Sequence, residues 1–199
     1  MNLLETMLHR RSTRTHTGEH VTKEQLDKVL AAGQSGASGK ALYPWQFVVV
    51  QNRDTIALLA DSRERGAGNT VALADAVIAV FGNAQKSDIW IEDCSGALSN
   101  MHLMADSLGL ASCWIQGRLR LAKDGRSTDE CVRELLGVPS PYHLEGMLAL
   151  GVPKAHPAPH TLDDVDESKI HWEHFLVRGL GSRRPREKAS RQSAPSSVV

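Results

Sequence analysis

Long hydrophobic runs are missing from this sequence, and so are paired cysteines, a glycine fingerprint for dinucleotides and any excess of one charge. No apolar stretch approaches the ~20 residues that a bilayer-spanning helix needs. The longest, residues 47–50 and 76–81, have strand length. The first arginines follow a short apolar stretch, the reverse of a secretory signal, so a cytoplasmic protein with no membrane partner is expected. Three cysteines, Cys94, Cys113 and Cys131, form no CxxC pair and no cluster with histidine. Their apolar neighbours make them reduced, buried, small hydrophobes, and no metal site is expected. Charges balance at 23 basic and 23 acidic residues, but unevenly. Residues 176–199 hold six basic residues and one acidic, which leaves residues 1–175 with 17 and 22 and a net charge of −5. An acidic body argues against nucleic acid as a partner.

The sequence does carry one core's worth of apolar residues, 41% of 199. The domain is expected over 1–175, followed by a basic tail, 176–199, too poor in apolar residues to pack and expected to be disordered. Leu3, Leu4, Met7 and Leu8 have helical spacing. Thr22 and Gln25 form a capping box flanked by Val21 and Leu26, opening a helix that Gly33 is expected to stop. A strand follows over 47–51, a helix over 55–60 and a second buried strand over 76–81. Apolar residues recur every three or four positions from Trp90 to Leu108, a long helix ended by Gly109. Residues 110–115 read as a strand. Ser127 and Glu130 cap a helix closed by Gly137, and 147–152 read as a fourth strand. The pattern is α+β, a small sheet with long helices.

Three segments carry candidate chemistry. Arg10, Arg11, Ser12, Thr13 and Arg14 place three guanidiniums and two hydroxyls within five residues, a set that can surround a phosphate. Taken alone, it is equally a solvated basic helix end. The segment SGASGKALYPWQF (35–47) is a small-residue loop feeding a strand, which allows backbone to approach a flat ligand or serves as a plain connector. ASCWIQG (111–117) runs off a strand end, where sites are commonly placed.

Together RRSTR, SGASGKALYPWQF, HLMADSLGLASCWIQG and LLGVPSPYHLEGMLALGVP, in this order over residues 3–175, resemble the FMN-dependent nitroreductase family. The resemblance implies a nitroreductase-like fold, with a small mixed sheet flanked by helices in a domain-sharing homodimer. It implies FMN as cofactor and NADH or NADPH as electron donor. Arg10, Ser12 and Arg14 would hold the flavin phosphate and ribityl chain, with Arg11 in support. Ser38, Gly39 and Lys40 would lie along the isoalloxazine, anchored by Trp45. Asn69, six residues ahead of Asp75, would face the flavin's polar edge. Gln116 and Gly117 would offer backbone N–H groups near N5 and O4. Two chains would share each site, with the helix 90–108 at the centre of the dimer.

The resemblance has gaps. Ala41 and Tyr43 stand where the family often has Asn and Gln. No Arg or Lys occurs over 157–164, where the family commonly has a basic phosphate ligand, and Arg118 or Arg120 is the expected substitute. The implied activity is ping-pong hydride transfer from nicotinamide to a small planar electron acceptor. The cofactor does the difficult chemistry, so no side chain is assigned as catalytic. The alternative is a non-catalytic flavin carrier or redox-sensing interaction protein.

Overall fold

The computed structural model describes residues 2–175, so the basic tail lies outside the described residues. The chain divides into two units after Leu162. The second contributes one 3-10 turn, Glu167–Lys169, among its described residues. Every element that follows belongs to the first.

Six helices and four strands alternate as α1 (Leu3–His9), α2 (Lys23–Gln34), β1 (Trp45–Val50), α3 (Arg53–Asp61), α4 (Arg65–Ala72), β2 (Ala76–Asn83), α5 (Trp90–Ser107), β3 (Ala111–Gln116), α6 (Thr128–Leu136) and β4 (Tyr142–Gly151). The strands form one sheet in the order β1-β2-β4-β3. Each neighbouring pair is antiparallel, which corrects the expected mixed sheet. The parallel element is a single bridge, Ser12 to Ser112, beside the β3 edge. Central β2 is buried along almost its whole length, while edge strand β1 is half-exposed in its middle.

The sheet is covered on both faces. Ile78, Val80, Leu148 and Leu150 pack with Leu98 and Met101 of α5 and with Leu26 and Val29 of α2. Val77, Ala79, Phe81, Met147 and Ala149 pack on the other face with Ile56 and Leu59 of α3, Val71 of α4 and Val132 of α6. Burial on both faces explains why β2 reads as an unbroken apolar run. None of the described helices is long and apolar enough to cross a membrane.

Both expected capping boxes form, Thr22 with Gln25 and Ser127 with Glu130. Gly137 ends α6 in the left-handed region at φ 66°, as a C-terminal glycine should. Gly33 does not stop α2, which continues through Gln34. A Cβ at Gly33 would sit 2.8 Å from the Met101 side chain, so this glycine permits close packing of α2 on α5. Cys94 and Cys113 are buried as expected, but Cys131 is only half-buried, and all three are free thiols.

Candidate functional site

Helix α5 serves as a rail from which buried polar groups reach the segments singled out by sequence. Its first turn presents Asp93, only 5% exposed. One carboxylate oxygen accepts from the Ser38 hydroxyl at 2.8 Å and the other from the Gly39 N–H at 3.1 Å. The same hydroxyl oxygen accepts from the Tyr43 N–H at 2.8 Å. Lys40 and Ala41 take positive φ values of 54° and 51°, a strained turn that these bonds hold in place. A Cβ on Gly39 would lie 2.1 Å from the terminal methyl of Ile89, so a larger residue there requires that side chain to move. Trp45, 7% exposed, anchors the loop in the core.

About 13 Å further along α5, at 1.5 Å rise per residue, stands His102. Its Nε2 faces Arg10 Nη1 at 3.0 Å and its Nδ1 faces the Ser112 hydroxyl at 2.5 Å. A guanidinium can only donate, so Nε2 accepts and the ring is neutral. Burial, reinforced by the Arg10 charge, depresses the His102 pKa to about 4, against the opposing pull of Asp106. Arg10 is thereby fixed beside the start of β3. Next to it, the Thr13 N–H donates to the Ser112 carbonyl at 3.0 Å, stitching residues 12–13 to the same strand. Arg14 donates to the Ser12 carbonyl at 3.3 Å. Burial raises the Cys113 pKa, while Arg14, Ser12 and Arg10 pull it down, so all three of those groups stand close to this thiol. Arg11 is committed elsewhere, to the Ala158 carbonyl.

The far end of β3 is organised by a residue that the sequence reading missed. Glu145 is 3% exposed. Its carboxylate accepts from Ser95 at 3.3 Å and from Gln116 Nε2 at 3.2 Å, and it pairs with Arg118 Nε at 3.2 Å. Gln116 Oε1 accepts from the Trp114 indole N–H at 3.0 Å, so both ends of the Gln116 amide are held within the chain. The N–H groups of Gly117 and Arg118 both donate to the Glu145 carbonyl, at 3.1 and 3.0 Å. Gly117 therefore has no N–H to offer a ligand, contrary to expectation.

Arg118 lies just beyond the end of β3 and pairs with the buried carboxylate of Glu145. Arg120, the other substitute, follows in the same turn and donates to the Leu119 carbonyl at 3.4 Å. Asn69 is exposed on α4, a helix that packs against β3.

One edge of the sheet thus gathers Arg10, Ser12, Arg14 and Gln116. The Ser38–Lys40 loop is not among them, because it precedes β1 on the opposite edge. Three inter-strand spacings, about 14 Å, separate the two edges. His102, Glu145 and Asp93 hold the arrangement together. No local pattern distinguishes these three from ordinary helix or strand residues.

The Nitroreductase family model matches residues 7–77 and 64–152 of this chain. A Methanothermobacter thermautotrophicus protein, named for a proposed NADH dehydrogenase or NAD(P)H nitroreductase activity, is 31% identical over 183 residues, 87% of each chain. The solved structure of an FMN-dependent nitroreductase from Clostridium difficile superposes with a TM-score of 0.83 at 36% identity, covering 86% of this chain and 99% of its own. A nitroreductase-like structure from Desulfovibrio desulfuricans, solved with FMN, has a TM-score of 0.68 at 24% identity, covers 88% of this chain and 99% of its own, and shares the fold.

Proposed function

Since the chain belongs to the nitroreductase family, we propose that it binds FMN along the β3 edge and works as an NAD(P)H-dependent reductase of small planar acceptors. The observation that carries this reading is the donor set at the start of β3. Arg10 and Arg14 flank Ser12, and Arg10 is oriented by a neutral His102. Two guanidiniums and a hydroxyl match the charge and the hydrogen-bonding needs of a phosphate. From Ser112 to Gln116 the strand runs about 13 Å, room for the rest of an extended nucleotide. Gln116 offers its backbone there, and Asn69 is assigned to the same site from its exposed place on α4, which packs against β3.

When bound, FMN would supply the hydride chemistry, taking reducing equivalents from NADH or NADPH and handing them to the acceptor in a ping-pong cycle. The chain's own part is to bind, orient and exclude water. Glu145 and Trp114 hold Gln116 still, and no side chain is needed as acid or base. The Ser38–Gly39–Lys40 loop reaches this site only from a second copy of the chain. The exposed Leu3, Leu4 and Met7 on α1 offer that copy an apolar face. A homodimer completes the site.

The test is a spectrum of the purified protein. We expect a yellow protein whose flavin absorbance bleaches within seconds of adding NADH or NADPH and recovers with a quinone. Material that stays colourless after incubation with excess FMN overturns the proposal. Bound flavin that neither donor reduces would favour a carrier instead.

A further inference from the structure

Just beyond the Arg10 cluster, three side chains from distant parts of the sequence converge in a way that flavin binding does not require. His9 ends α1, Asp106 lies in the last turns of α5, and His156 follows β4. One carboxylate oxygen of Asp106 lies 2.8 Å from His9 Nδ1 and the other 3.3 Å from His156 Nε2. The two imidazoles stack, with ring centroids 4.1 Å apart and planes 20° from parallel. The ligand-bearing atoms all fall within 4.8 Å of one another. Asp106 is a side chain only 4% exposed, while His9 and His156 are 38% and 23% exposed, so the cluster is anchored in the core and open on one side.

We propose that His9, Asp106 and His156 bind a divalent transition-metal ion of the zinc class. The donor set is two imidazole nitrogens and a carboxylate, which suits zinc and its neighbours rather than magnesium or calcium, whose sites are built from oxygen. Ligands at about 2.0–2.1 Å around a tetrahedral ion stand about 3.3–3.4 Å apart, a spacing that small side-chain movements reach from atoms lying within 4.8 Å of one another. Three protein ligands leave the fourth position to water on the open side.

The hydrogen bonding of His156 points the same way. Its Nδ1 lies 2.7 Å from the Pro157 carbonyl, which can only accept, so Nδ1 carries the hydrogen. Its Nε2 faces the Asp106 carboxylate at 3.3 Å. A ring N–H given to a backbone carbonyl is also how ligating histidines are oriented. Such an ion would clip the 156–160 segment to the end of α1, alongside the Arg11 bond to Ala158 and the His160 N–H bond to the Leu8 carbonyl at 2.9 Å.

The experiment uses the full-length, flavin-loaded protein, dialysed and then exposed to zinc or to magnesium. Bound metal is counted by elemental analysis and thermal stability is followed in parallel. We expect one tightly held zinc per chain and a higher melting temperature with zinc but not with magnesium. His9→Gln and His156→Gln should each lower zinc affinity by more than about tenfold while leaving the flavin spectrum intact. His20→Gln, which alters a separate histidine paired with Asp75, should change nothing. Zinc uptake that ignores both His9→Gln and His156→Gln, or no thermal gain with zinc, overturns the proposal. In either case the triad is a hydrogen-bonded clamp only.

Discussion

His102 shows how one buried side chain couples the site to stability. Its folded pKa of about 4 lies below the ordinary histidine value of 6.5. The unfolded chain therefore binds a proton that the folded chain refuses, so stability contributed above pH 6.5 is lost as the pH falls toward 4. The full effect is about 3 kcal/mol, at 1.36 kcal/mol per pKa unit. In urea titrations between pH 7 and pH 4.5, wild type should lose this increment and His102→Asn should not. Parallel pH profiles for the two proteins would refute the assignment. Little of this was legible in the sequence, where a histidine on a long helix reads as structural or solvent-facing. What decides its state is burial, reinforced by Arg10, 92 residues away in sequence. The thiol of Cys94 is a milder case. Its apolar neighbours already marked it as buried, and burial with Glu145 and Asp93 nearby raises its pKa to about 12.

At the scale of elements, the capping boxes at Thr22 and Ser127 form as their local signals imply, whereas the Gly33 stop does not. The Ser127–Glu130 box forms with the Ser127 hydroxyl accepting the Glu130 N–H at 3.2 Å. Ser127→Ala should cost about 1 kcal/mol, read as a lower urea midpoint at unchanged slope, because α6 loses its N-cap while keeping its buried face. An unchanged midpoint would mean that Thr128, buried with its hydroxyl on the Ser62 carbonyl, fixes the helix start alone. Elements without such signals were missed or cut short. Helix α4 escaped notice because Gly66 and Gly68 within RGAGNTVA lower its propensity by about 1 kcal/mol each. Strand β4 begins at Tyr142, five residues earlier than its apolar run. Those residues pair with β2 across a register shift at Val80 and Phe81, a tertiary feature with no local code.

For the molecule as a whole, the resemblance implies a dimer centred on α5, but the apolar stripe of that helix is occupied within the chain: its Cys94, Leu98, Met101 and Ala105 are buried against the chain's own sheet and α2. The proposed two-chain site rests on other grounds, the separation of the Ser38 loop from the β3 edge and the exposed face of α1. Replacing both Leu4 and Met7 with Glu should halve the apparent mass in size exclusion and release FMN, while circular dichroism stays native. A double variant that still elutes near twice 21.7 kDa with flavin bound would place the interface elsewhere.

By itself the sequence determined the α+β class, the two capping boxes, the buried central strand and the phosphate-suited cluster at residues 10–14. Each is written in residues within a few positions of one another, where helix caps, periodicity and charge density act. Only the tertiary structure decided that the four strands pair antiparallel and that Arg118 faces Glu145. It also decided that Gly33 exists for packing and that His9, Asp106 and His156 meet. Those facts depend on strand order and helix placement, which arise from burying both faces of the sheet at once and bring together residues as far apart in sequence as Leu8 and His160.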